Sequence, residues 1–190
     1  MLSKIRLVCL LCSMVFIASC AGSSAYMKSA ETLSSPRKDK ALVRFMRPSG
    51  FGYAINFNML DGEKVIGNSV AKSQFDYFAD PGKHLFVAVA ENKVFLEAEL
   101  DAGKTYYVIT RIYSGWWSGR VAFLPVPRGS EFWDKVLEYE KTLKKLQPDR
   151  NTLQAWEEAN KPKIQKVLSD YESVWKNKYQ WPKLMPEDGR

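Results

Sequence analysis

The sequence is poor in the residues that most metal and redox sites require. It has 190 residues but only one histidine and three cysteines, and Cys9, Cys12 and Cys20 all lie near the N-terminus. A single imidazole excludes a two-histidine metal site. The cysteine distribution leaves the rest of the chain without a disulfide, a catalytic thiol or a thiolate ligand. We therefore predict no metal site and no cofactor.

The chain also lacks a concentrated block of positive charge. Its 28 basic residues outnumber 21 acidic ones, but six of the basic and only two of the acidic residues fall in residues 1–40. The remainder is nearly balanced. A nucleic-acid-binding domain usually carries a basic stripe on its folded part, so we predict no nucleic-acid partner.

Apolar runs long enough to span a bilayer are missing as well. Leu7–Ala18 is uncharged over 12 residues, whereas a spanning helix needs about 20. The run follows Lys4 and Arg6, and a basic start before a short apolar stretch is typical of an export signal. It closes with Ile17-Ala18-Ser19-Cys20, which resembles the lipobox of bacterial lipoproteins.

The lipobox resemblance implies that residues 1–19 are a cleaved signal peptide and that the thiol of Cys20 is acylated. Ala21, in place of Asp, implies sorting to the outer membrane. Several acyl chains, at about 0.8 kcal/mol per buried methylene, give durable attachment. An ordinary secretory signal with an incidental cysteine, or a cytosolic helix, would be the alternatives. Residues 20–40 are rich in Ser, Ala and charge, which predicts a flexible tether with a reach of about 25 Å.

Residues 41–128 show the two-residue period of half-buried strands. Val94, Leu96, Ala98 and Leu100, for example, alternate with polar and aromatic neighbours. Turns rich in glycine, such as Pro81-Gly82, separate such runs. Six to eight strands of this kind predict a mainly β fold, an antiparallel β-sandwich. The run near 104–113 is apolar on both faces, so a further element should cover its outer side.

Residues 129–181 carry a helical period and are predicted to form an extension of two to three helices. Ser130 is a candidate cap for a first helix reaching Leu146, and Pro148 should end it. A second helix should start near Thr152, with Pro162 kinking or dividing it. These helices either pack on the sandwich, which we favour, or project as an arm. Residues 182–190 are predicted to be a loose tail.

The order of several short motifs resembles a known family. Ala41-Leu42-Val43, Arg47-Pro48, Asp61-Gly62, Pro81-Gly82-Lys83-His84 and the run from Ala102 to Val108 are similar to a bacterial lipoprotein family catalogued as domain of unknown function 2846. The resemblance covers about residues 41–112. It implies a lipid-anchored β-domain of the cell envelope and supplies no activity.

Few residues are candidates for catalysis. His84 could act as a general base beside a carboxylate, although a structural place near a turn explains it more simply. Glu97 and Glu99 lie two apart on the outer face of a strand, a spacing that could serve a carboxylate-based hydrolase or reflect only solvated charge. The sequence has no phosphate-binding glycine loop, nucleophile elbow or HExxH motif. We therefore predict that the protein is not an enzyme.

Trp116 and Trp117 form the most unusual local feature. Ser-Gly pairs flank them on both sides, which predicts a loop tip that presents large amphipathic rings to a partner or ligand. The alternative is that they fill a sheet edge or pack beneath the helices. Trp133, Trp156 and Trp175 fall instead on helical apolar stripes and are predicted to be core residues.

These observations predict a non-enzymatic structural or interaction module on the periplasmic face of the bacterial outer membrane. It would contact the membrane through the lipid on Cys20 and an envelope protein through its folded part. Capture of a small hydrophobic or glycan ligand is the alternative function, and a carboxylate-based hydrolase is a third.

Overall fold

Two β-sheets packed face to face form the centre of the protein in a computed structural model that describes residues 24–90, 92–114 and 119–190. Cys20, Trp116 and Trp117 lie outside the described residues. In spatial order the first sheet consists of β1 (Met27–Ser29), β10 (Lys144–Pro148), β5 (Ser73–Ala79), β2 (Ala41–Arg47), β8 (Thr105–Ser114) and β9 (Gly119–Pro125). The second consists of β11 (Lys183–Leu184), β7 (Lys93–Leu100), β6 (Gly82–Val89), β3 (Phe57–Asp61) and β4 (Lys64–Ser69).

The main core lies between the two sheets and follows directly from the two-residue period. Phe45 on β2 is 1% exposed, and its ring centroid lies 5.3 Å from that of Phe75 in the same sheet. It also lies 5.4 Å from Phe86 in the opposite sheet, edge to face. Contacts of this kind hold the two inner faces together by burying apolar surface.

Two helical segments cover the outer faces of the sheets. Helix α1 (Trp133–Thr142) packs on the first sheet, where Val136 joins a cluster with Met46, Tyr107 and Ile109. Helix α2 (Arg150–Asp170) packs on the second sheet, and it continues through a π-helical turn (Tyr171–Trp175) into Lys176–Lys178. The expected cover over β8 is therefore confirmed, and both helices pack on the sandwich instead of projecting as an arm.

The mainly β fold with a helical C-terminal region is confirmed, but the expectation of purely antiparallel sheets is wrong. The pairs β2–β8, β10–β5 and β11–β7 are parallel. The chain crosses between the sheets after β2, returns in β5, crosses again and returns in β8, so β2 has an antiparallel neighbour on one side and a parallel neighbour on the other. The described residues contain eleven strands, more than the six to eight expected, and two helical segments, the lower of the expected numbers.

Both segments predicted to lack structure belong to the folded body. Within the expected tether, β1 pairs with β10, and the amide of Ser34 donates to a carboxylate oxygen of Asp76 at 2.6 Å. Within the expected loose tail, Leu184 is completely buried, and Arg190 and Thr105 exchange two main-chain hydrogen bonds of 2.8 and 3.1 Å. The composition of these two segments indicated disorder because composition carries no information about pairing with distant strands.

The first helix is shorter than its apolar spacing predicted. Its side-chain cap is not Ser130, because the residue before the helix is Phe132 and no side chain caps the N-terminus. The chain then leaves the helix at Leu143, and Gln74 donates from its side-chain amide to three carbonyls at this end, at 3.0 to 3.3 Å. Residues 144–148 become β10 instead. The second helix runs through Pro162 without division.

Candidate functional site

A groove of about 540 Å³ lies on the outer face of the second sheet. It is bounded by β6 and β7, by the C-terminal end of α2 and by β11. We call it the lysine–glutamate groove after its charged lining residues, which are Lys83, Glu97, Glu99, Glu172, Lys176 and Lys183. The three lysines and three glutamates balance one another, and His84 also borders the groove.

The strand period places two of the groove's carboxylates. Along β7, Leu96, Ala98 and Leu100 point into the main core, so Glu97 and Glu99 point outward. Register pairs Lys83 on β6 with Glu99 on β7. The sequence therefore predicted the outward direction of the two glutamates correctly, and the fold adds the lysine beside them.

Glu97 is held by two partners that come from distant parts of the chain. The hydroxyl of Tyr171 donates to one carboxylate oxygen at 2.5 Å, and the ammonium of Lys183 lies 3.0 Å from the other. The hydrogen bond from Tyr171, together with Lys183, lowers the pKa of Glu97 below its usual range. Burial and the same bond raise the pKa of Tyr171, so the hydroxyl stays protonated.

A π-helical turn delivers Tyr171 to this position. Such turns insert one residue into a helix and are frequent at functional sites. Here the turn spans Tyr171–Trp175. It brings Tyr171 and Trp175 onto Phe95, with ring centroids 4.6 and 5.5 Å away. Trp181 approaches the same ring at 4.9 Å.

This aromatic cluster forms the apolar support next to the groove. Phe95 is fully buried at its centre, and the indole N–H of Trp181 donates to the carbonyl of Trp175 at 3.0 Å. Trp133, Trp156 and Trp175 were predicted to be core residues, and this holds only in part. Trp156 and Trp175 pack against the cluster beneath α2, and Trp133 packs on Tyr107 at 5.5 Å, but all three are only half-buried. Trp181 was not predicted from the sequence because this residue comes after the last helical turn and is not part of the helical apolar stripe.

Lys83 and Glu99 are the charged groups of the groove most open to a ligand. Both are exposed, and within the described part of the chain neither side chain has an ion-pair or hydrogen-bond partner. Lys176, by contrast, pairs with Glu172 at 2.9 Å. A ligand with both a negative and a positive group could therefore bind Lys83 and Glu99 without first breaking an internal pair.

His84 also borders the groove, although its place in β6 puts the imidazole on the opposite face of the strand from Lys83. Its Nδ1 lies 2.8 Å from a carboxylate oxygen of Asp61, and its Nε2 lies 2.8 Å from the carbonyl of Asp80. Tyr77 donates its hydroxyl to the same Asp61 carboxylate at 2.8 Å. Because both ring nitrogens face acceptors, the ring is favoured in its doubly protonated form. The bond to Asp61 accordingly raises the pKa of His84.

The arrangement of His84 does not suit a general base, since neither nitrogen is available to take a proton. Its ring instead stacks on Phe86 at 5.8 Å. The structure thus brings His84 and the two glutamates to adjacent strands but on opposite faces. Among residues 24–90, 92–114 and 119–190, no group of three or more His, Cys, Asp or Glu residues could hold a metal ion. Nor does any helix in those ranges have the length and apolarity to cross a membrane.

Comparisons with known proteins find no match among protein families, curated proteins or solved structures. The resemblance to domain of unknown function 2846 therefore has no support beyond the motifs that suggested it.

Proposed function

We propose that this chain is a lipid-anchored protein of the bacterial envelope, attached through Cys20 at the periplasmic face of the outer membrane. Its sandwich serves as a non-enzymatic interaction module, and the lysine–glutamate groove is the contact site. The export-signal pattern and the lipobox-like residues 17–20 support the anchor. The exposed charges of the groove support the proposal that the folded part binds a partner.

We choose the groove as the contact site because of one observation. The groove combines exposed, unpaired charges of both signs with a rigid wall. Lys83 and Glu99 lie side by side on paired strands, so their positions are fixed by the sheet. The opposite wall is fixed by the Tyr171–Glu97 hydrogen bond and the aromatic cluster around Phe95. Preorganised charges of this kind favour specificity because little ordering is required on binding.

Capture of a small ligand is the second candidate, and the groove volume favours it. About 540 Å³ lies within the range of roughly 300–1,000 Å³ that is common for small-molecule sites. Leu85 and Met185, both half-buried, offer apolar surface in the same groove. A hydrophobic or glycan ligand with a charged substituent would suit this lining.

A carboxylate-based hydrolase is a poorer explanation of the same residues. A general acid in such an enzyme needs a raised pKa so that it carries a proton at neutral pH. The pKa of Glu97 is lowered instead. Its carboxylate is also occupied by Tyr171 and Lys183, which fits a positioning role.

Site-specific photocrosslinking in intact cells tests the interaction function. A photoreactive residue at Met185, an uncharged lining residue of the groove, should capture one discrete product, and the Glu99→Lys substitution should reduce that product strongly. The matched control is a photoreactive residue at Lys141, which is exposed on α1 at the opposite face. The proposal fails if the probes at positions 185 and 141 give the same products, or if Glu99→Lys leaves the product at position 185 unchanged.

A further inference from the structure

The first described segment of the chain is fastened to the start of α2. In this turn, Ser24–Met27, the carbonyl of Tyr26 accepts from the amide of Asp149 at 2.8 Å. The carbonyl of Ala25 accepts from the hydroxyl of Thr152 at 3.2 Å. The ring of Tyr26 packs against the apolar cluster beneath α2. The folded body therefore includes the chain from residue 24 onward.

Very little chain separates this turn from Cys20. A fully extended chain covers at most about 3.6 Å per residue, so Ser24 can lie no farther than about 14 Å from Cys20. A free tether of some 20 residues would have allowed the body to move about 25 Å from the anchor. A lipid on Cys20 would consequently hold this particular corner of the protein close to the bilayer.

Three exposed cations surround the turn. Lys28 follows it directly and pairs with Asp149 at 2.8 Å while its side chain remains 63% exposed. Arg150 is the first residue of α2, and its charge acts on the hydroxyl of Tyr77. The ammonium of Lys64 lies 5.6 Å from the ring of that same tyrosine. We call the turn together with Lys28, Lys64 and Arg150 the N-terminal corner.

Most acidic groups near this corner already have a partner. Asp149 is engaged with Lys28. Asp61 is bonded to His84 and Tyr77 and is mostly buried. Glu63 is exposed beside Lys64. Asp80 is exposed near Lys64 but pairs with Lys40, and Glu157 accepts from the amide of Val65. Lys64 and Arg150 have no ion-pair partner among the described residues, so they are the cations most available to an anionic surface.

We propose that the N-terminal corner rests on the membrane surface and that Lys28, Lys64 and Arg150 bind the phosphate groups of anionic lipid headgroups. The inference depends on the proposed lipid at Cys20. A lysine or arginine near an anionic leaflet strengthens attachment by about fivefold. Lipid attachment and headgroup contact would together fix the orientation of the body.

This orientation sets the lysine–glutamate groove away from the start of α2. Helix α2 runs from the N-terminal corner toward the groove, and its 21 residues span about 30 Å at 1.5 Å per residue. The start of α2 and the groove therefore lie at opposite ends of the same helix, whereas Lys64 on β4 lies closer, two strand spacings or about 10 Å from β6.

Fluorophores at two positions of the purified, lipidated protein test the orientation. Cys20 is blocked by lipid in this form, so an introduced cysteine is the only free thiol. Asn151→Cys places a label at the corner. Tyr113→Cys places one on β8, four strand spacings from β1, or about 19 Å. The protein is bound to vesicles of equal parts phosphatidylcholine and phosphatidylglycerol that contain a headgroup-spin-labelled lipid as quencher.

Quenching should be several-fold stronger at residue 151 than at residue 113. Equal quenching, or stronger quenching at residue 113, would overturn the inference. Mass analysis of the same preparation separates the two proposals. An unmodified Cys20 would count against the anchor itself, whereas an acylated Cys20 with equal quenching would count only against the orientation.

A charge-removal variant tests the headgroup contact. Replacement of Lys28, Lys64 and Arg150 by Gln should lower the quenching at residue 151 on the mixed vesicles to the value found with phosphatidylcholine alone. The matched control replaces three exposed lysines elsewhere by Gln, namely Lys135, Lys141 and Lys178, and should retain the difference between the two vesicle types. Loss of that difference in the control as well would show non-specific charge attraction and would contradict the assignment to this corner.

Discussion

Substitution of Phe95 by Ala should destabilise the protein strongly, because this ring joins the π-helical turn and Trp181, just before β11, to the second sheet. Phe95 is fully buried, and the rings of Tyr171, Trp175 and Trp181 lie within 5.5 Å of its centroid. Truncation of a buried phenylalanine to alanine costs about 3–5 kcal/mol through lost burial and the resulting cavity. In a protein of this size, each kcal/mol lowers Tm by about 2–4 °C.

The loss in the free energy of unfolding is measured by urea denaturation, with far-ultraviolet circular dichroism and tryptophan fluorescence as the signals. The matched control is Phe51→Ala, since Phe51 is 55% exposed and its truncation should change the free energy of unfolding by less than about 0.5 kcal/mol. If Phe95→Ala costs less than about 1 kcal/mol, or no more than Phe51→Ala, then the π-helical turn does not depend on this ring for its packing.

Three further perturbations test other parts of the structure. The His84 imidazolium bonds to Asp61, so its raised pKa stabilises the fold fully below its ordinary value of 6.5, and this contribution should be lost as pH rises through the raised value. His84→Asn should flatten that pH profile of unfolding. Tyr171→Phe should cost about 1 kcal/mol and return the pKa of Glu97 toward its usual range, as carbon-detected NMR titration would show. Gly67→Ala would place a Cβ 2.6 Å from a core phenylalanine ring and should cost about 1–3 kcal/mol; an unchanged urea midpoint would contradict that clash.

Local periodicity predicted which residues are buried more reliably than which strands are neighbours. The alternation along residues 94–100 indicated the inner face of β7 correctly. The apolar residues on both faces of β8 indicated a covering element, and α1 provides it through Trp133 and Val136. Alternation does not encode the partner strand, however, so the parallel pairing of β2 with β8 could not be inferred.

The strand β10 was missed for a related reason. Leu143 and Leu146 fit a helical spacing, but Leu146 reaches the core only as part of a strand between β1 and β5. Tertiary pairing therefore overrode the local pattern. The same holds for β1 and β11, whose few residues have no periodic signal of their own.

Only part of the candidate site could be predicted from the sequence. Glu97 and Glu99 were recognisable as outward-facing carboxylates because of their strand period. Tyr171 and Lys183, which bind Glu97, are 74 and 86 positions away in the chain. Their approach depends on the π-helical turn and on β11, neither of which follows from local propensity.

The most direct test of the account is the chemical state of Cys20 in the native protein. Mass spectrometry of protein purified from the membranes of its own host should find that the chain begins at Cys20 and carries acyl groups on that residue. The Cys20→Ala variant should retain the leader and incorporate no labelled fatty acid. A mature protein with an unmodified thiol at Cys20, or with residues 1–19 still attached, would contradict both the anchor and the membrane-bound orientation built on it.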